Sequence, residues 1–248
     1  MRILLSPAKK MRVDRDSLPC QDLPVFLDRT REILNWMQSK TPQELQKLWG
    51  CNDDIAAQNV ERLRDMNLTE GLTPAILSYD GIAYQYMAPA VFEDKHLTYV
   101  QEHLRILSGF YGVLRPMDGV CPYRLEMQAR APIGGHRDLY DFWGDSLYRE
   151  VREDVMVNLA SKEYYKCIQK YLGPEDRFIT CTFCEMVKGK LTQKATFAKM
   201  ARGEMVRYLA EQQAESPEEM KGFDRLGYRF REDLSSDTEY VFERIPQE

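Results

Sequence analysis

An α+β domain, or an irregular α/β one, is the fold this sequence predicts, and three observations predict it. Short apolar segments of strand type open the chain at 2–6 and recur at 154–159 and 178–187. Helical signals lie between them, the clearest being a capping box at Thr41-Pro-Gln-Glu44. Strands and helices alternate without a regular strand–helix–strand rhythm, so the sheet is expected to be mixed. The 248 residues, 44% hydrophobic and 29% charged, suffice for one full core, and no repeat, low-complexity run or linker divides them. A single compact domain over 1–248 is the expectation.

Taken in order, residues 2–6 form a buried-type strand that Pro7 ends, with Lys9 and Lys10 in the following loop. The Thr41 capping box, with proline at the first helical position, opens a short helix through Leu45 and Leu48. Asp53 or Asp54 is placed to cap a second helix through Ile55, Val60 and Leu63. Residues 73–79 read as a strand, and Leu97, Val100, Leu104 and Leu107 repeat at helical spacing. After the strand at 154–159, Ser161 is placed to cap a helix carrying Tyr164, Tyr165 and Ile168. Gly189 turns the chain after the strand at 178–187. A basic helix over 195–211 then sets Met200 and Tyr208 on its apolar side. A second capping signal at Ser216-Pro-Glu-Glu219 starts a short helix, and two last strands lie near Tyr228 and at 240–242.

Several classes are disfavoured by composition. No segment approaches the length of a transmembrane span, and the stretch before Pro7 is too short for a signal-peptide core, so a cytoplasmic location without membrane contact is expected. The six cysteines are scattered and are expected to be thiols. Cys181 and Cys184 have metal-like spacing, but residues three apart on a strand face opposite ways, so no metal is assigned. No cofactor fingerprint is present. The net charge of −5 argues against a generic polyanion binder, yet residues 188–207 carry six basic side chains against Glu204 alone. An acidic average can therefore conceal a basic cleft.

The segment 107–127 concentrates Arg115, Arg124, Asp118 and Glu126 among glycines and prolines, where charges do not fall on a regular solvated helix face. Its arginines suit phosphate oxygens, and its carboxylates either brace them or supply acid–base chemistry. Asp145 is a third such carboxylate. Trp143 is either core or a platform for base stacking. Ser161 and Lys162 stand at a strand-to-helix junction of the kind that binds anions. Lys199, Arg202 and Arg207 can give the 195–211 helix one basic face, which with Lys188, Lys190 and Lys194 is either ordinary solvated surface or a phosphate-binding one.

A family resemblance rests on ordered motifs along nearly the whole chain. They are SPAK at 6–9, HLRILSGFYGVLRPMD at 103–118, PYRLEM at 122–127, DLYDFWGD at 138–145, NLASKEY at 158–164, FAKMARG at 197–203, and the segments 223–227 and 240–244. In these the chain resembles the YaaA family of bacterial peroxide-stress proteins, also designated UPF0246. The resemblance implies a protein that limits damage from hydrogen peroxide. It also implies DNA binding through a positively charged cleft, a helix–hairpin–helix-like element and a single-domain fold, with no reaction firmly attached. Departures are present: Lys10 stands where threonine is usual, and Met200 where a second basic residue is common. The counterpart of the helix–hairpin–helix element, residues 49–63, lacks a glycine-bracketed hairpin and carries Asp53 and Asp54.

The expected function is thus DNA binding in the peroxide response, the partner being duplex DNA held in a cleft of Lys9, Arg115, Arg124, Lys199 and Arg202, with Lys10 a further candidate phosphate contact. The alternatives are an enzyme of base or glycosidic-bond chemistry, using Asp118, Glu126 or Asp145, and an interaction protein whose paired charges stiffen its loops.

Overall fold

The computed structural model describes residues 1–245. The chain opens with β1 (Arg2–Leu5), whose last three residues are buried, and reaches α1 (Leu27–Gln38) through an irregular segment. The Thr41 capping box is present, with the threonine hydroxyl accepting the Glu44 N–H and the Glu44 carboxylate accepting the Thr41 N–H, and it opens α2 (Pro42–Trp49). Gly50, in the left-handed region, ends that helix, and α3 (Asp53–Arg64) follows after a three-residue turn. The cap of α3 is Asn52, whose side chain accepts the Ile55 N–H at 3.0 Å, not Asp53 or Asp54, which occupy the first helical turn.

Two further segments differ from expectation. Residues 73–79 give only a two-residue strand, β2 (Thr73–Pro74), before α4 (Ala75–Ser78). A run buried on every side has no period to separate strand from helix. Here Arg12 decides locally, its N–H and guanidinium donating to the Ser78 and Leu77 carbonyls. Next come α5 (Ile82–Met87) and α6 (Asp94–His103), where the helical spacing stops. Leu104 and Leu107 belong instead to β3 (Leu104–Ser108), all five of whose residues are buried.

The 107–127 segment contains β4 (Gly112–Leu114) and β5 (Gly119–Val120). Beyond it lie α7 (Leu139–Trp143), α8 (Ser146–Val151), β6 (Val155–Leu159) and α9 (Lys162–Gln169). The chain closes with β7 (Arg177–Val187), β8 (Lys190–Thr192), α10 (Ala195–Gln212), a short 3-10 turn opened by the Ser216 capping box, β9 (Tyr228–Phe230) and β10 (Glu239–Arg244). The apolar side of α10 is Ala198, Ala201, Met205, Val206 and Leu209, while Met200 and Tyr208 are only partly covered. Gly203 is the reason: a Cβ there would stand 1.9 Å from the Ala83 carbonyl oxygen, so α10 packs backbone to backbone on α5.

Eight strands form one mixed sheet in the order β4-β3-β1-β6-β7-β10-β9, with β8 paired to β7, and β2 and β5 form a separate small pair. The central pairings β3-β1, β1-β6, β6-β7 and β7-β10 are all parallel. The antiparallel pairings β3-β4, β7-β8 and β9-β10 flank them. This is a single α+β domain with a mostly parallel sheet. From β1 the chain builds toward β3 on one side, and from β6 toward β7 on the other. A crevice therefore opens at the carboxyl ends of β1 and β6, the place where open sheets of this kind bind ligands.

Candidate functional site

A cavity of about 380 Å³ fills that crevice, with Leu5 and Leu159, the last residues of β1 and β6, at its base. Just beyond the strand ends, the Ser161 N–H donates to the Ser6 hydroxyl at 2.8 Å, and the two hydroxyls lie 3.2 Å apart. Ser161 occupies the position before α9 but its side chain does not cap that helix, because Ser6 engages it. Asn158, buried at the end of β6, steadies the turn by accepting the Ala160 N–H at 2.9 Å. Beside these groups, Tyr84 donates its hydroxyl to the Ser6 carbonyl at 3.0 Å.

The 107–127 segment supplies one wall. A Cβ on Gly109 would stand 2.8 Å from the Leu125 carbonyl oxygen, so only glycine lets residues 125–127 cross the β3–β4 turn. Tyr123 anchors the crossing, sharing hydrogen bonds with the hydroxyls of Ser108 at 2.6 Å and Tyr79 at 2.9 Å. Burial pushes the Tyr123 phenol up to about 12, so it stays neutral and serves as structure. The crossing delivers Arg124 and Glu126 to the cavity. Glu126 Oε1 lies 2.8 Å from the Lys9 ammonium and 3.4 Å from Arg124. Lys10 meets Asp80 at 2.6 Å, and this contact holds the Asp80 carboxyl below its usual range.

The opposite wall comes from α10, which contributes Lys199 and Arg202. Neither makes an ion pair among the described residues. Arg202 Nε and Arg124 Nε are buried without a hydrogen-bond partner among the described residues. Burial lowers the pKa of Arg202 and raises those of Glu163 and Tyr164, which also face the cavity.

The site thus gathers Lys9, Lys10, Arg124, Glu126, Ser161, Lys199 and Arg202 from distant parts of the chain. Arg115 is not among them. It follows β4, which runs antiparallel to β3 and so ends at the amino edge of the parallel sheet, away from the cavity. There it lines a separate cavity of about 200 Å³ with Asp118, Asp22 and Glu150. Asp118 is buried; its Oδ2 accepts the Arg115 N–H at 2.8 Å and its Oδ1 has no partner. Asp145 pairs with Arg149 at 2.5 Å, one turn along α8. Lys162 is exposed outside the cavity, and Lys194 is engaged by Glu185. Trp143 has no exposed surface and donates its Nε1–H to the Gly109 carbonyl at 3.1 Å, so it presents no face to a base and belongs to the core.

A second cavity, of about 710 Å³, adjoins the first and shares Lys9 and Glu126 with it. Its walls include Trp36 near the end of α1, Lys40 in the turn that follows it, Lys47 and Gly50 at the end of α2, and Arg130. Apart from Gly50, which lies in the 49–63 segment, the sequence gives these residues no role, and it gives none to Asp80, Tyr84 or Glu163. An Asp80-Gly81 turn before a helix start is the one local cue to them.

Cys181 and Cys184 are free thiols with separate surroundings, the first against Met220 and the second against the Phe242 carbonyl. Among the described residues no three His, Cys, Asp or Glu side chains cluster as metal ligands would, and no helix is long and apolar enough to cross a membrane.

Comparison with known proteins gives the geometry a family. The model of the peroxide stress protein YaaA matches residues 1–234. The chain belongs to the YaaA family. A UPF0246 protein of Agathobacter rectalis is 61% identical over 246 residues, covering 98% of this chain and 99% of its own. One from Limosilactobacillus reuteri is 54% identical over 99% of this chain and 100% of its own, and one from Lachnoclostridium phytofermentans 52% over 98% and 96%. Membership assigns it to the peroxide stress response.

Proposed function

We propose that this YaaA-family protein acts in the cytoplasm by binding duplex DNA along the joined cavities, limiting the damage that peroxide does to it. The observation that carries the reading is the reversal of charge between molecule and groove. The chain as a whole bears −5, whereas the two cavities together bring eight lysines and arginines against four carboxylates. Those cations come from the β1 loop, the α1–α2 turn, α2, the segment 124–130 and α10, so the fold collects on one surface what the sequence disperses. An anionic protein needs such a local surplus to approach a phosphate backbone.

The α2–α3 pair supports the reading through Lys47 and Gly50, which stand on the groove. Asp53 and Asp54 begin α3, and Gln46 donates to Asp53 at 2.6 Å, so the first amides of α3 are poor phosphate partners. Contact here falls to the end of α2 and its lysine.

Fluorescence anisotropy on a duplex, measured across a salt series, tests the proposal. Lys47→Glu and Lys199→Glu should each weaken binding and make the dependence of log K on log salt shallower by about one unit per lost phosphate contact. Lys170→Glu, at the far end of α9, is the control and should change little. Unchanged binding in both groove variants would overturn the reading.

A further inference from the structure

We infer that the crevice at the carboxyl ends of β1 and β6 is a binding site for a phosphomonoester of nucleoside size, the phosphate held by Lys199 and Arg202. This deepens the nucleic-acid reading by naming the unit the crevice takes, and it rests on that reading for the nucleoside body.

Charge identifies the anionic half. Lys9 and Arg124 share Glu126, and Lys10 is matched by Asp80. Among the described residues Lys199 and Arg202 have no carboxylate partner, and the five cations and three carboxylates of the lining leave two positive charges in surplus. A phosphodiester carries one negative charge; a phosphomonoester carries about −1.5 to −2 near neutral pH. The surplus therefore matches a terminal or free monoester better than a phosphate inside a strand.

The donors support this assignment. Arg202 and Arg124 line the crevice, and among the described residues their buried Nε atoms have no acceptor, so the fold leaves part of each guanidinium's hydrogen-bonding capacity unused. The first turn of α9, an eight-residue helix, opens beside them without a side-chain cap, because Ser161 is turned to Ser6.

The rest of the crevice suits an apolar body. Leu5, Leu159, Tyr84, Tyr164 and Ile82 line it, and about 380 Å³ lies in the range that holds small ligands. The same chemistry could arrive as a free nucleoside monophosphate or as the phosphorylated end of a strand.

Calorimetric titration of the full chain with deoxynucleoside 5′-monophosphates tests the inference, with the deoxynucleoside and inorganic phosphate as comparators. The monophosphate should bind about tenfold more tightly than either fragment, and Arg202→Gln should remove that advantage. Ile82→Trp fills the crevice without altering charge and should abolish monophosphate binding, its thermal melt confirming the fold. A monophosphate no better than phosphate, or one that still binds to the Ile82→Trp protein, would overturn the inference. Comparing 5′-phosphorylated with unphosphorylated oligonucleotides separates the sources: a preference for the phosphorylated strand assigns the site to strand ends, and equal binding of the two beside tight monophosphate binding assigns it to free nucleotides. Duplex anisotropy run in parallel keeps the two readings apart, since the groove can bind duplex whether or not the crevice takes a monoester.

Discussion

The Lys9 ammonium and the Glu126 carboxylate meet at 2.8 Å where the two cavities join, so one ion pair stands between them. Arg124 leans on the same carboxylate oxygen at 3.4 Å. Glu126 thereby holds two cations in place and withdraws part of their charge from any ligand.

Neutralising this carboxylate should release both. Glu126→Gln is expected to raise duplex affinity several-fold at low salt and to steepen the salt dependence by about one unit. Anisotropy across a salt series reads both quantities. Weaker binding in the variant would mean that Glu126 serves the site by orienting its neighbours rather than by restraining their charge.

The Ser6–Ser161 contact ties the ends of β1 and β6, and its two hydroxyls are not equivalent. Ser6→Ala removes the acceptor of the Ser161 N–H and leaves a partly buried donor unpaired, at a cost of about 1–3 kcal/mol. Ser161→Ala keeps that N–H bonded and gives up only the longer 3.2 Å contact, so it should cost less. Urea unfolding of the two variants gives the order; equal losses would show that the hydroxyl pair, not the backbone donor, carries the tie.

What was legible in the sequence is what local chemistry decides. The Thr41–Glu44 and Ser216–Glu219 boxes needed only residues three apart, and both formed. Residues 73–79 fold mainly as a helix rather than the expected strand, because an entirely buried run gives no periodicity and the hydrogen bonds that settle it come from Arg12, far away in sequence. Leu104 and Leu107 kept helical spacing while lying in a strand, since every residue of β3 is buried and spacing there selects no face. For the site, Lys9, Arg124, Lys199 and Arg202 were legible as charge in recognisable motifs. Arg115, only nine residues from Arg124, was not separable from it, because the antiparallel run of β4 sends the two to opposite edges of the sheet. Pairing partners such as Asp80 for Lys10 depend on tertiary approach alone.

Gly203 offers a test of the wall that carries Lys199 and Arg202. Any side chain there collides with the Ala83 backbone, which cannot yield without moving α5. Gly203→Ala improves intrinsic helix propensity by about 1 kcal/mol yet should destabilise the protein on balance, by about 3 kcal/mol. A thermal melt lowered by several degrees is the expected result. A melt at or above that of the parent would show that α10 can shift outward at no cost.

Asp118 carries a pH dependence of its own. Burial raises its carboxyl from 3.8 to about 6, opposed by the Arg115 N–H and the Arg115 and Arg105 charges and assisted by the charge of Asp22. The folded state therefore holds this proton more tightly than the unfolded chain does. The resulting stability is fully present below about pH 4 and is lost as pH rises through about 6, a span worth about 3 kcal/mol. Other carboxylates such as Asp80 have lowered values and act in the opposite sense at lower pH, so the parent curve alone does not isolate the effect. The difference between parent and Asp118→Asn does. Asparagine keeps an oxygen for the Arg115 N–H and abolishes the titration, so the variant should gain on the parent steadily from about pH 4 to about pH 7 and level off above it. Urea unfolding at each pH measures that difference. A difference independent of pH would mean that Asp118 keeps an ordinary carboxyl in the folded protein, its free Oδ1 solvated rather than stranded.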